Sequence, residues 1–162
     1  MSYLVGDRIK LVKFTNEHIT KEYLEWLNDH DTTRYLCTGR LPVTEKDIDV
    51  PSGNDNLRFA IMAAAPTKRT IRKTSTEKNN YVGTISFHKI DWIARHAEIG
   101  YIIGDKNFRG QGIATEAIRL VTEYGFGRLN MNKIEAGVVV DNMGSSAVLE
   151  KNGFREYARI PY

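Results

Sequence analysis

Apolar and polar positions change their spacing several times along this chain, and each change marks an element. Residues 8–14 (Arg-Ile-Lys-Leu-Val-Lys-Phe) alternate polar and apolar, which predicts a half-buried first strand. Thr15 and Asn16 can cap a helix, and Ile19, Tyr23, Trp26 and Leu27 recur at helical spacing, so a helix with an aromatic face is predicted through Asn28. Residues 31–51 are mixed, with a short second helix expected between Thr44 and Asp49 and with Pro42, Pro51 and Gly53 as punctuation. The run Leu57-Arg-Phe-Ala-Ile-Met-Ala63 is almost wholly apolar and reads as a central strand. Residues 81–87 alternate again, residues 91–95 turn the chain, and residues 96–103 run back as a further strand.

The second half has the stronger periodicity. Ile113, Ala117, Val121 and Tyr124, flanked by Ala114, Ile118 and Leu120, form one apolar stripe ending near residues 125–127, and Glu116 lies in its first turns, where negative charge suits the helix dipole. Residues 133–140 (Lys-Ile-Glu-Ala-Gly-Val-Val-Val) read as a buried strand, and strand, helix, strand in succession implies a parallel pair. Asp141 and Asn142 cap a last helix over 143–152, closed by Gly153, and one more strand is expected over 154–159. On strand 96–103, period two sends Ala97, Ile99, Tyr101 and Ile103 to one face and Glu98, Gly100 and Ile102 to the other. Gly100 inside that strand marks either a bulge or a close approach.

The chemistry concentrates where this strand runs into the long helix, at Ile102-Ile-Gly-Asp-Lys-Asn-Phe-Arg-Gly-Gln-Gly-Ile-Ala-Thr-Glu116. A helix start leaves several N–H groups without partners and carries partial positive charge. Gly110 and Gly112 let that backbone approach an anion closely, and Arg109 adds a formal charge, so the stretch reads as a phosphate seat. It lacks the lysine of a nucleoside-triphosphate loop and the third glycine of a dinucleotide fingerprint.

Composition narrows the picture. At 162 residues the chain is expected to form one domain over 1–162, with 41% hydrophobic and 27% charged residues typical of a soluble globule. A net charge of +3 argues against nucleic acid, and the basic residues Lys68, Arg69, Arg72, Lys73 and Lys78 sit in an expected solvated loop over 66–80 with no aromatic residue to stack on a base. The longest all-apolar stretch, 60–65, is far short of a membrane span, the N-terminus lacks a signal-peptide layout, and the single Cys37 suits a reducing compartment. A cytoplasmic location without membrane contact is therefore expected, and no metal site is expected.

Arg109-Gly110-Gln111-Gly112-Ile113-Ala114 resembles the pyrophosphate-binding Arg-x-x-Gly-x-Ala motif of the GCN5-related N-acetyltransferase (GNAT) superfamily. Asn142-Met-Gly-Ser145-Ser-Ala-Val148-Leu-Glu150-Lys151-Asn-Gly153-Phe154 and Ala97-Glu-Ile-Gly-Tyr101 are similar to the branch that contains ribosomal-protein N-terminal acetyltransferases. The resemblance is close over 81–154 and looser over 8–29. It implies an α/β fold: a mixed, mostly antiparallel sheet of six or seven strands with a splayed parallel pair in its middle and about four helices. It also implies acetyl-CoA as cofactor and a primary amine as acceptor, whether a protein N-terminus, an amino-sugar nucleotide or a small amine. The family usually has a strand after 154–159; the chain stops at Tyr162, so that strand and part of the acceptor wall are expected to be missing. Homodimers are common in such folds.

On this resemblance Ile102, Ile103, Arg109, Gly110, Gln111, Gly112, Ile113, Ala114, Thr115 and Asn142 would contact the cofactor. Tyr35, Thr38 and Arg40 would contact the acceptor. Glu98 would be the general base, with Glu135 in reserve, and Ser145 would meet the leaving thiolate. The thioester carbonyl would face an N–H of a bulged strand near Gly100–Ile102. Many members carry a tyrosine on the last helix that can protonate that thiolate, and the aligned residue here is Leu149. A thiol with pKa of about 8.5 can leave without a dedicated acid. The absent tyrosine equally suits a module that senses acyl-CoA without catalysis.

Overall fold

In a computed structural model, which describes residues 3–53, 56–64 and 80–161, six strands form one sheet in the order β1 (Leu4–Val5), β2 (Ile9–Lys13), β3 (Leu57–Ala63), β4 (Asn80–Asp91), β5 (His96–Ile103) and β6 (Lys133–Glu135). Every neighbouring pair is antiparallel except β5 and β6. The parallel pair therefore lies at the edge of the described sheet rather than in its middle. The four helices are α1 (Lys21–Asn28), α2 (His30–Thr33), α3 (Ile113–Gly127) and α4 (Met143–Lys151). No helix among the described residues is long and apolar enough to cross a membrane.

The sheet buries apolar side chains on both faces. On one, Leu11, Phe59, Ile61, Ile85, Phe87, Ala97 and Ile99 pack with Ile113, Ala117, Ile118 and Val121 of α3 and with Leu149 of α4. On the other, Phe14, Tyr23 and Ala60 are covered by Trp26, Leu27 and Tyr81. The helical stripe on α3 and the alternation on the strands thus meet across one interface, as their periods require.

Several boundaries differ from the pattern in the sequence. The helix expected after Thr15 begins at Lys21, because Thr15 closes a single 3-10 turn (Asn16–His18) and Thr20 supplies the cap, its hydroxyl accepting from the Tyr23 N–H at 3.2 Å. The short helix expected at 44–49 is a 3-10 turn (Glu45–Asp47). A short strand, β1, precedes the expected first strand. The loop expected over 66–80 falls almost wholly outside the described residues.

The strand expected over 133–140 is cut short: only Lys133–Glu135 pairs. The register is His96 with Lys133, Ala97 with Ile134 and Glu98 with Glu135, and there it stops. Val138 and Val140 are exposed, since β-branched composition favours a strand only where a partner edge is present, and residues 154–159 form no strand either. Among the described residues, β5 beyond Glu98 continues to Ile103 paired with β4 alone. The two parallel strands have parted, and the second edge of β5 is open.

Gly100 does not mark a bulge. It pairs in regular register with Ser86, and the irregularities lie instead at Ile61/Met62 and at His88/Asp91. Close approach is the reason for the glycine: a Cβ there would stand 2.8 Å from Nε2 of His88.

Candidate active site

The glycine-rich turn has the backbone conformation its sequence demands. Gly110 and Gly112 both lie in the left-handed region, at φ 69° and 77°, which side-chain-bearing residues rarely adopt. Gly112 is also the N-cap of α3, so the N–H groups of Ile113, Ala114 and Thr115 open the helix without intrahelical partners. A Cβ on Gly110 would meet nothing within 4 Å, so the turn faces open space. These features suit a bound pyrophosphate.

Two arginines brace the turn. Arg109, expected to add a formal charge and contact the cofactor, donates through Nε to the Ile103 carbonyl at 3.0 Å and through Nη2 to Thr32 Oγ1 at 2.8 Å. It ties the end of β5 to α2. Arg8, which the sequence pattern did not single out, donates to the Gln111 carbonyl at 2.6 Å. Its backbone N–H donates at 3.0 Å to the buried carboxylate of Glu116, and its guanidinium lies 3.4 Å from the same group. Nothing in the spacing of Arg8 announced this contact, which spans 108 residues.

A cleft of about 510 Å³ adjoins the seat, lined by Trp26, Asn28, Asp29, Thr32, Gly104 and Lys106 among others. Hydroxyl and ammonium partners from Thr32 and Lys106 hold the Asp29 carboxyl down to about 2. Gly104 is required by close packing, because a Cβ there would collide with the Trp26 ring.

The expected catalytic residues occupy opposite faces of β5. Glu98 is one-third exposed and is held by Lys89 at 2.8 Å. His88 stands directly across the ladder from it, hydrogen-bonded through Nε2 to Ser86 Oγ at 3.1 Å. Burial is the main influence lowering the His88 pKa, Arg58 lowers it further, and Glu98 opposes them, so its imidazole is neutral at neutral pH. Glu135 is more tightly engaged. Lys133 at 2.6 Å is its first partner, followed by Tyr157 and His96, and its carboxyl is held at about 2.

On the other face, Tyr101 Oη lies 2.9 Å from Ser145 Oγ. Ser145 belongs to the first turn of α4, and its backbone N–H donates to Asn142 Oδ1 at 3.2 Å. Asn142 thus caps the helix as expected. Leu149 is buried in the core and faces no cleft group. Ile102 is buried and Ile103 half-buried at the open edge of β5.

Of the three residues expected at the acceptor wall, Tyr35 donates to the Asp141 carbonyl at 3.3 Å, bridging the segment after α2 to the start of α4. Arg40 is exposed on a 3-10 turn (Cys37–Arg40). The side chain of Thr38 lies outside the described residues. His88, Ser86, Arg8 and Thr32 escape a reading of the sequence because their relation to the site depends on the sheet register and not on any local motif.

A mixed sheet whose parallel edge pair parts beside a glycine-rich helix start defines an acyltransferase-like α/β protein. Residues 8–155 match the family described as acetyltransferase (GNAT) domain, and the chain belongs to that family. It is an N-acetyltransferase. An uncharacterised N-acetyltransferase of Bacillus subtilis, YoaA, is 33% identical over 94% of this chain and 82% of its own length. The putative ribosomal N-acetyltransferase YdaF of the same organism is 45% identical over a shorter match, 46% of this chain and 40% of that protein. The fold is shared with a spermidine N-acetyltransferase from Vibrio cholerae solved with CoA and spermine, at a TM-score of 0.76 and 21% identity over 94% of this chain and 84% of that one.

Proposed function

We propose that the protein transfers an acetyl group from acetyl-CoA to a primary amine by direct attack in a ternary complex. One observation carries this reading: β5 loses its parallel partner after Glu98 and its open edge leads straight into the free N–H groups at the start of α3. An extended amide ligand can pair with such an edge while its phosphates sit on the helix start. Arg109, Gly110, Gln111, Gly112, Ile113, Ala114 and Thr115 form the phosphate seat. Ile102, Ile103 and Asn142 are the proposed pantetheine contacts, and Tyr35, Thr38 and Arg40 the proposed acceptor contacts.

Glu98 removes the amine proton, directly or through water, and the neutral His88 beside it keeps a second basic nitrogen within the same polar patch. A backbone N–H on the open edge of β5 polarises the thioester carbonyl. Ser145 meets the departing sulfur. The structure with spermine and the ribosomal relative both point to amines as acceptors, and a protein N-terminus, an amino-sugar nucleotide and a small amine fit the same chemistry. The cytoplasm is the compartment where acetyl-CoA and such acceptors meet.

Two observations favour a second reading, an acyl-CoA sensor without catalysis: Glu98 is engaged by Lys89, and Leu149 on α4 is a buried aliphatic side chain that can protonate nothing. Thiol release from acetyl-CoA against a panel of peptides with free N-termini, amino-sugar nucleotides and polyamines separates the two. Release with one acceptor class establishes the transferase and its substrate. Binding of acetyl-CoA with no release against any class establishes the sensor.

A further inference from the structure

We propose that Tyr101 is a positioning residue for the leaving sulfur, acting by fixing the hydroxyl of Ser145. The inference rests on the transferase reading, in which the pantetheine arm lies along the open edge of β5. Three observations lead to it. Leu149 is buried in the core, so this position on α4 supplies no hydroxyl to the sulfur. A different phenol, that of Tyr101, reaches the first turn of α4 and lies 2.9 Å from Ser145 Oγ. Tyr101 is three residues from Glu98 on a regular strand, so the two side chains leave opposite faces of β5. The proton acceptor and the hydroxyl pair therefore lie on opposite faces of β5.

The direction of the hydrogen bond follows from acidity. Burial raises the Tyr101 pKa from its ordinary value and the Ser145 contact only partly offsets this, so the phenol stays protonated. In the proposed arrangement the phenol, a far stronger acid than a serine hydroxyl, is the donor and Ser145 Oγ the acceptor. That arrangement leaves the one hydrogen on Ser145 for a second acceptor, the sulfur. Its place in the first turn of α4 adds the favourable end of the helix dipole for an anion.

The step balances without further reagents. The amine nitrogen forms its bond to the carbonyl carbon, the C–S bond breaks with its electron pair on sulfur, and the surplus amine proton passes to Glu98. Ser145 donates a hydrogen bond to the thiolate, and Glu98 gives up its proton through water to the sulfur, which restores the base and leaves neutral coenzyme A.

The test has a readout independent of turnover, the titration of the thiol of bound coenzyme A followed by its thiolate absorbance. In the wild type the bound thiol titrates below the value of free coenzyme A measured in the same buffer. Tyr101→Phe moves it back toward that value and Ser145→Ala moves it further. In turnover, Tyr101→Phe lowers kcat about tenfold with the KM for acetyl-CoA unchanged, and adds nothing in a Ser145→Ala background. Equal thiol titrations in the wild type and Tyr101→Phe, or losses that multiply in the double variant, overturn the proposal while leaving the transferase reading intact. Failure of the wild type to bind coenzyme A overturns both.

Discussion

Replacing Glu116 by alanine tests whether the phosphate seat is held from beneath by a contact that spans the chain. The carboxylate is buried and accepts from the Arg8 backbone N–H at 3.0 Å, a bond to a charged acceptor whose loss strands a donor and costs about 1.5–3 kcal/mol. The ion pair to the Arg8 guanidinium adds little, about 0.5 kcal/mol, because that side chain is half exposed and screened. Removing negative charge from the first turn of α3 costs about 0.3–1 kcal/mol more. The total is about 3 kcal/mol, which for a chain of this size corresponds to a fall in Tm of about 6–12 °C. Urea unfolding followed by far-ultraviolet circular dichroism measures it directly. Glu116→Gln keeps an acceptor for the Arg8 N–H and is expected to cost only about 1 kcal/mol. Because Arg8 also grips the Gln111 carbonyl, Glu116→Ala weakens acetyl-CoA binding as well. A Glu116→Ala protein within about 0.5 kcal/mol of the wild type, or a glutamine variant as damaged as the alanine one, would refute the reasoning.

Glu98→Ala is expected to cut turnover by about 10²-fold, and an unaltered pH–rate profile in the variant excludes Glu98 as the base. Gly104→Ala drives a methyl group into the Trp26 ring and should cost about 1–3 kcal/mol with a shifted tryptophan emission; wild-type stability and emission would show that the ring yields freely. The Glu135 carboxyl is lowered from 4.5 to about 2, first by Lys133 and then by Tyr157 and His96, so its stabilisation is complete above pH 4.5 and lost as pH falls toward 2. Glu135→Gln should flatten that acid limb of the stability curve, and a limb identical to the wild type would place the acid sensitivity elsewhere.

The spacing of residues by itself determined what is local. The apolar run over Leu57–Ala63, the alternation over His96–Ile103 and the stripe on Ile113–Gly127 mark those three elements at the observed places, because strand and helix periods are written in consecutive residues. The conformation of the glycine-rich turn was legible for the same reason, since left-handed glycines and unpartnered N–H groups are properties of a few adjacent peptides. Relations between distant residues were not legible. Whether 136–140 pairs as a strand, whether Gly100 bulges or lies against His88, and which hydroxyl meets Ser145 depend on neighbours that only the folded sheet supplies. Arg8 meets Glu116 across 108 residues, Arg109 meets Thr32 across 77, and Tyr101 meets Ser145 across 44. Register and packing set those distances, and sequence spacing carries no record of them.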